Sequence, residues 1–558
     1  MSKKLLLFLV VLLFALGGRP VLAAEADPKS PATPLQAFLA SSAPVIDGYE
    51  LNAEELRRFY ALRNFQPVWD TNPKGDRASL KSFLSSVTAY AAYHGLPEEN
   101  YPSNQLTKLI AGTQQEADST KIELLVTAWL LRLAHDLHGD SVNLAHLYPG
   151  WKFEPKQIDV VAGLEKAVQD NRVYDFIAEL APTGPEYLHL ARELKVYREM
   201  AAKGPWPTVA PGPKLLPGDH DPRTAQVRAR LEAEKYIAAA ASLGNGTDLF
   251  DEELRGAVEN YQARNGLKPD GHIGEKTLAA MNTPIAERIG QIIANMERWR
   301  HMPEKFPSRY AMVNIAAAQV EIMDDSKSLY RGPVVVGRPD RKTPFIQSSI
   351  RSVIFNPYWH VPTKIARKDI LPKLRRDPHY LEKMGLVING SADDPYGKEI
   401  DWDSVRESAF NYQLRQSPGE LNSLGRLKFD FDNDFSVYMH GTPHQELFEK
   451  AERNQSSGCV RLRDPDVFAE ILLAHNEGGW SVERIHEEID KRTTHWLRIT
   501  EPLPLYFVYW SVFPADDDGP MNFRSDVYNY DQFLLETMHK SGPMESQNTK
   551  GVRHNPLI

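Results

Sequence analysis

Cysteine is nearly absent from this sequence, since the 558 residues contain a single one, Cys459. One cysteine cannot form an intrachain disulfide, so the fold depends on other interactions. A thiol without a partner in its own chain is a reactive group, an intermolecular linker or a small buried apolar side chain. The residues around Cys459 must decide among these roles.

An excess of positive charge is missing as well. The chain has 65 basic and 74 acidic residues and a formal net charge of -9. This balance excludes a broad basic surface for nucleic acid and a polybasic membrane anchor. The apolar fraction of 42% and the charged fraction of 25% are typical of a folded soluble protein, and the length indicates three or four domains.

The sequence also has few long apolar runs, and the one at the N-terminus is short. Lys3 and Lys4 precede an apolar run from Leu5 to Leu16, and small residues lead to Ala23. This pattern predicts a signal peptide over residues 1–23 and therefore export. The apolar run is shorter than the roughly 20 residues of a membrane span. The alternative is that the signal is not cleaved and anchors the protein, and only in that case do we expect membrane attachment.

The first folded region is predicted to be helical. Residues 24–46 are rich in Pro, Ala and Ser and are interpreted as a linker, and residues 47–215 carry apolar residues at helical spacing. The most apolar segment, TKIELLVTAWLLRLAHDLHG, contains Glu123, which favours a buried core helix over a membrane span. A Pro- and Gly-rich stretch around residues 205–221 predicts the end of this scaffold domain.

Residues 216–284 show a helix, a glycine stop, a turn and a second short helix. This segment resembles the small three-helix peptidoglycan-binding module, although a plain helical hairpin and a module retained as a spacer are the alternatives. The residues that carry the resemblance are Tyr261, Gln262, Gly266, Leu267, Asp270, Gly271, Gly274 and Thr277.

The remaining chain predicts a linking helix and a β-rich domain, which makes the whole protein a multidomain α+β chain. The linking helix is expected over 285–302, and short β-branched segments place the β-rich domain at 303–515. Within that domain, residues 361–433 look helical or irregular and are interpreted as a capping insertion, with surface decoration as the alternative. Residues 516–558 are polar and are expected to be partly disordered.

The pattern around Cys459 fits a nucleophile. Cys459 follows Ser457 and Gly458, and His440 with Gly441 lies 19 residues earlier. A thiol with an ordinary pKa is only about 3% ionised at pH 7, so we expect the His440 imidazole to favour the thiolate, with uncertain help from a helix after Asp464. Consecutive N–H groups at Ser457, Gly458 and Cys459 are candidate donors to an oxyanion.

These residues resemble the motif of the L,D-transpeptidase family, His-Gly-x followed by Ser-x-Gly-Cys-x-Arg. Many members have His before the Gly-Cys pair, whereas this chain has Ser457, as do the large three-domain members with a capping insertion. The resemblance therefore covers nearly the whole mature chain. The matching residues are His440, Gly441, Ser456, Gly458, Cys459 and Arg461.

The resemblance implies a mechanism and a location. Cys459 would attack the meso-diaminopimelate carbonyl of a stem tetrapeptide, release D-Ala, and pass the acyl group to another stem as a 3→3 cross-link. His440 would act as base, and the Gly441 carbonyl would orient its ring. No cofactor is needed, because one amide is exchanged for another. The family implies sensitivity to carbapenems, the periplasm of a Gram-negative-type bacterium, peptidoglycan stems and glycan as partners, and contact with other cell-wall enzymes.

Further candidates line the predicted cleft. Arg461 can hold a substrate carboxylate, and Ser456 belongs to the same motif. Tyr438 shares a strand face with His440, and Asn356 and Trp359 precede the insertion and are candidates for a donor groove, with core packing as the alternative for each aromatic residue.

Several other functions stay open at this level. Zinc binding by His440 and His444 is disfavoured by the intervening Gly and Pro, so no metal site is expected. An L,D-carboxypeptidase, an enzyme that attaches a lipoprotein to the wall, a hydrolase of 3→3 links and a silent wall-binding scaffold are alternatives. The intact motif argues against a silent domain, but the acceptor that distinguishes the enzymes is not specified by the sequence.

Overall fold

The computed structural model describes residues 33–40, 45–69, 78–111, 116–140, 142–153, 157–238, 248–515 and 519–540. The predicted signal peptide lies outside these residues. The chain forms two compact units, and each is described by itself. The first consists mainly of residues up to 142 and residues 155–182, and the second mainly of residues 143–154 and 183–537.

The first unit is the predicted helical scaffold, which the structure confirms. The compact unit ends at residue 182, whereas the sequence predicts a scaffold domain over 47–215, and Leu35 and Leu39 lie in its core although they belong to the segment predicted as a linker. A short hairpin pairs Val45–Ile46 with Tyr49–Glu50. The helices are Pro34–Leu39, Ala53–Leu62, Ala78–Tyr93, Ser103–Ala111, Glu116–His138, Val160–Gln169 and Val173–Leu180.

The helix Glu116–His138 forms the centre of this unit, as its apolar sequence predicts. Its Glu123 carboxylate is buried but accepts hydrogen bonds from the N–H groups of Val68 and Trp69 at 2.6 and 3.0 Å and from the Tyr60 hydroxyl at 2.9 Å. Burial of a polar group is tolerated here because the group is hydrogen-bonded. Across the described ranges, no helix has the length and apolarity needed to cross a bilayer.

The peptidoglycan-binding-like segment folds as three helices, Arg223–Ala233, Glu252–Arg264 and Glu275–Met281. Gln262 joins its parts, because its amide N–H groups donate to Asp270, to the His272 carbonyl and to the Thr277 hydroxyl, and its oxygen accepts from Gly271 N–H. These motif residues therefore hold the module together. They do so as an internal network of hydrogen bonds.

The β-rich domain contains one large sheet that closes on itself. Lys327–Gly337 pairs with Gln319–Asp324 as well as with Val460–Leu462, so the two sides of the sheet meet as a barrel. The nine strands of this sheet lie in the order Asn454–Ser456, Lys327–Gly337, Val460–Leu462, Met439–His440, Leu427–Phe431, Ile346–Phe355, His495–Val508, Arg309–Asn314 and Gln319–Asp324.

The capping insertion is a small folded body within the second unit. Its three-stranded sheet pairs Leu414–Gln416 with both Trp359–His360 and Leu386–Ile388. Its helical turns are Thr363–Ile365, the π-helical Ala366–Ile370, Leu371–Arg376 and Tyr380–Lys383. They enclose their own apolar core. The insertion ends before residue 427, earlier than the predicted 433, because the alternating apolar residues of Leu427–Phe431 belong to the large sheet.

The second unit also contains the remaining elements. Helix Ile285–Arg300 is the predicted linking helix. The other helices are Leu144–Leu147, Pro185–Ala201, Pro465–Leu472 and Val482–Asp490, and a small hairpin joins Val512–Pro514 to Met521–Phe523. Helix Tyr530–Lys540 belongs to this unit as far as residue 537.

A buried ion pair ties the linking helix to the C-terminal segment. Arg298 Nη1 lies 2.6 Å from Asp531 Oδ1, and Arg298 Nη2 donates to the Tyr148 hydroxyl at 3.1 Å. The Arg298 and Asp531 side chains are 1% and 5% exposed. Residues 519–540 of the segment that was predicted to be partly disordered therefore include part of the core.

Replacing Arg298 with Met tests this pair. The change leaves the Asp531 carboxylate buried without its counter-charge, and we expect the free energy of unfolding to fall by about 3–5 kcal/mol. Urea denaturation followed by tryptophan fluorescence measures it. Arg331→Met is the matched control, since its pair with Glu321 is more exposed and is worth at most about 1 kcal/mol. Equal losses in the two variants would contradict the assignment.

Candidate active site

Three neighbouring strands bring the predicted catalytic residues to one face. Lys428 is in register with His440 on one side, and Arg461 is in register with His440 on the other. In-register residues of paired strands share a face, and so do alternate residues of one strand. Tyr438 directly precedes the first of these strands, and its ring lies 5.6 Å from the His440 ring. Cys459 directly precedes strand Val460–Leu462 and interacts with Tyr438.

The His440 ring is held in one tautomer. The ring is buried, and Nδ1 lies 2.5 Å from the Gly441 carbonyl oxygen. Because a carbonyl only accepts, Nδ1 carries the proton and Nε2 is the unprotonated nitrogen of the neutral ring. The ring is thus prepared to accept a proton at Nε2.

The electrostatics of the site favour a neutral pair. Burial, with the charges of Arg461 and Lys428, lowers the pKa of His440 to about 3, although the carbonyls of Gly441 and Leu424 oppose this. Burial also raises the pKa of Cys459, although Tyr438, Arg461 and Lys428 act in the other direction. Both shifts favour the neutral thiol and the neutral imidazole over the thiolate that the sequence predicts, because desolvation outweighs the favourable charges.

The motif residues before Cys459 form and stabilise the turn that precedes it. Gly458 has φ of 116°, a region that favours glycine. Ser456 Oγ accepts from Gly458 N–H at 3.1 Å and donates to the Cys459 carbonyl at 2.6 Å. The Gly458 N–H is thus not a free oxyanion donor, and Ser456 builds the turn instead of facing substrate. Within the described part of the chain, the Cys459 N–H has no acceptor.

Ser457 contacts the capping insertion through an arginine. Its hydroxyl accepts from Arg341 Nη1 at 3.0 Å, and Arg341 Nη2 donates to Asp369 Oδ1 of the insertion at 2.9 Å. Arg341 thus links the turn before Cys459 to the insertion.

Tyr438 adjoins the sulfur and Trp359 adjoins Tyr438, whereas Asn356 lies elsewhere. The Tyr438 hydroxyl accepts from the Trp359 indole N–H and donates toward Cys459, whose sulfur also meets the Tyr438 main-chain N–H. Asn356 is fully buried and donates to the Ile489 carbonyl at 2.9 Å. Its φ of 46° is one that Asn tolerates, so it serves the turn and not the donor groove.

Lys428 is a site residue that sequence reasoning missed. Its Nζ lies 4.6 Å from the centre of the Tyr438 ring and 2.9 Å from Asp430. Alternation in LKFDF shows that Lys428 points away from the apolar core, but only the strand register places it beside His440.

The described residues contain no cluster of three or more potential metal ligands, and His444 lies 3.3 Å from Glu446 at an exposed position.

A pH series of thiol alkylation tests the neutral pair. Because Cys459 has a raised pKa, the rate of its alkylation by iodoacetamide should rise about tenfold per pH unit from pH 6 to 8. Lys428→Met removes a charge that favours the thiolate and should slow alkylation at each pH. Cys459→Ala removes the only thiol and sets the background. A rate that is flat between pH 6 and 7 would indicate a preformed thiolate–imidazolium pair and contradict the assignment.

A double-mutant cycle tests the bridge between Arg341 and Asp369. Alanine replacements, alone and together, should give a coupling free energy of about 1–3 kcal/mol, because the Arg341 side chain is only 9% exposed. The exposed pair Lys368–Glu407, with side chains 56% and 48% exposed, is the matched control and should give less than about 0.5 kcal/mol. Urea unfolding measures both cycles. Additive effects at Arg341 and Asp369 would show that the bridge contributes nothing.

Comparisons with known proteins agree with this geometry. Residues 308–474 match the L,D-transpeptidase catalytic domain called YkuD, residues 220–281 match the "Putative peptidoglycan binding domain", and residues 54–194 match the scaffold domain. A protein of Haemophilus influenzae named "Putative L,D-transpeptidase" is 31% identical over 322 residues, which is 55% of this chain and 63% of the relative. The alignment thus spans less than two thirds of that relative. The chain thus contains an L,D-transpeptidase catalytic domain of the YkuD type, together with a scaffold domain and a domain that matches peptidoglycan-binding modules.

Proposed function

We propose that this protein is a cysteine-dependent L,D-transpeptidase that forms 3→3 cross-links between peptidoglycan stem peptides. The observation that carries the proposal is the cluster in which the Cys459 sulfur meets Tyr438 and the Tyr438 ring lies 5.6 Å from the His440 ring, with the His440 proton held on Nδ1 by the Gly441 carbonyl. A thiol, a neutral base and adjacent hydrogen-bond donors are the parts that acyl transfer through a thioester requires.

In the first half-reaction, the sulfur attacks the carbonyl of meso-diaminopimelate while His440 Nε2 accepts the thiol proton. The Cys459 N–H is the open donor for the oxyanion, since the Gly458 N–H is already bonded to Ser456. The Tyr438 hydroxyl, which donates toward the sulfur, becomes a second donor once the sulfur has attacked and its lone pair is used. The proton then passes from His440 to the amine of the departing D-Ala, and the acyl group stays on sulfur as a thioester.

In the second half-reaction, the side-chain amine of another stem attacks the thioester. His440 accepts a proton from this amine, and the sulfur leaves with a proton restored to it. The low pKa of His440 suits these short-lived transfers, because the ring returns readily to its neutral form. One amide replaces another, so the reaction needs no cofactor.

The charges of the site fit an anionic peptide. Lys428 and Arg461 flank His440 on the same face, and among the described residues no carboxylate lies within ion-pair distance of Arg461. Stem peptides carry several carboxylates, and Arg461 can hold one of them, whereas Lys428 is already paired with Asp430. The peptidoglycan-binding domain supports a polymeric wall substrate. An exported protein working in the periplasm, accessible to carbapenems that acylate Cys459, follows from the same proposal.

Incubation with a disaccharide-tetrapeptide followed by mass analysis tests the proposal. A dimer that has lost one D-Ala is the expected product, and Cys459→Ala should yield none. Tyr438→Phe removes one oxyanion donor and should lower kcat by about tenfold or more with little change in KM. Tyr174→Phe, an exposed residue of the scaffold unit, is the control and should keep full activity. A tripeptide without dimer would indicate a carboxypeptidase, and no product from the wild type would contradict both.

A further inference from the structure

The peptide group between Gly458 and Cys459 is fixed from behind. The Gly458 carbonyl accepts a hydrogen bond from Thr343 Oγ1 at 2.8 Å. In a planar trans peptide the carbonyl and the following N–H point in opposite directions. The bond to Thr343 therefore turns the Cys459 N–H away from Thr343. The described residues offer this N–H no acceptor.

Thr343 is itself held by a tyrosine from the C-terminal segment. The Tyr528 hydroxyl accepts from Thr343 N–H at 3.2 Å and donates to the Gly337 carbonyl at 2.5 Å. Thr343 Oγ1 also accepts from Gly337 N–H at 2.8 Å. Thr343 and Tyr528 are 0% and 1% exposed. Each of the two hydroxyls thus donates one hydrogen bond and accepts one. The bonds among Gly337, Thr343 and Tyr528 therefore allow only one arrangement of donors and acceptors.

We propose that Thr343 and Tyr528 are positioning residues that direct the Cys459 N–H toward the oxyanion formed during acyl transfer. Tyr528 holds Thr343, and Thr343 sets the orientation of the Gly458–Cys459 peptide. The identity of the natural acyl donor rests on the proposed function, but the orientation acts on any carbonyl that the sulfur attacks.

If Thr343 and Tyr528 orient the Cys459 N–H, their loss should affect one reaction of the sulfur and not another, which a merely structural role would not do. Acylation of the sulfur builds negative charge on a carbonyl oxygen, so it needs the aligned N–H. Alkylation by iodoacetamide displaces iodide from carbon and forms no oxyanion. A misaligned peptide should therefore slow acylation while leaving alkylation unchanged.

The test compares both reactions in four variants of the full chain. p-Nitrophenyl acetate acylates the thiol with release of nitrophenolate, and iodoacetamide alkylates it. Thr343→Val and Tyr528→Phe each remove one hydroxyl of the set and should lower the acylation rate about tenfold, less than the 10²–10³ seen when an oxyanion donor is deleted. Thr343→Ser keeps the hydroxyl and should restore most of the rate.

The matched control is Tyr530→Phe. Tyr530 lies on the same segment, and its buried hydroxyl has no hydrogen-bond partner among the described residues, so both rates should stay at the wild-type level. Thermal unfolding of each variant shows which ones are folded. Thr343→Val and Tyr528→Phe remove different atoms, so a variant that fails to fold leaves the other as the test.

Two results would overturn the proposal. One is wild-type acylation in both Thr343→Val and Tyr528→Phe. The other is an equal loss of acylation and alkylation, which would indicate general disturbance of the turn. Since p-nitrophenyl acetate is not a wall peptide, failure of the wild type on stem peptides with normal acylation by the ester would refute the proposed function and leave the positioning role standing.

Discussion

The pairing of strand Met439–His440 with strand Val460–Leu462 is the constraint on which the site depends. The two strands run parallel, so the chain must leave the first, cross the intervening residues and return through the Ser456–Cys459 turn before the second begins. This return places the thiol beside Tyr438. A slip of one residue would send the whole set to the other face of the sheet.

The burial that this pairing imposes determines how the nucleophile is activated. A desolvated site resists separated charges, so burial raises the pKa of the Cys459 thiol and lowers the pKa of His440, and both shifts favour the neutral forms even with two cations nearby. In the proposed mechanism charge separation occurs only as the sulfur attacks, when the oxyanion meets donors already in place. The site thus combines a base of fixed tautomer with a peptide group of fixed direction. An ion pair formed in advance is not part of this arrangement.

The sequence was sufficient for the parts of the protein that depend on local pattern. The three kinds of domain, the core helix around Glu123 and the spacing of His440 and Cys459 could all be predicted, because helical periodicity and motif order are local. Four residues of the site could not be predicted, namely Lys428, Arg341, Thr343 and Tyr528. Lys428 reaches the site only through strand register. The others reach it through contacts between residues far apart in the sequence, and Thr343 and Gly458, for example, are more than 100 positions apart. Asn356 was misassigned for the same reason, since its role in a left-handed turn is visible only in three dimensions.

Measuring the protonation state of His440 is the most direct test of a neutral catalytic pair. Nitrogen-15 chemical shifts of the ring, followed from pH 5 to 8 in the substrate-free protein, report both the charge and the tautomer. We expect a neutral ring with the proton on Nδ1 over this whole pH range. An imidazolium at neutral pH, or a proton on Nε2, would contradict it.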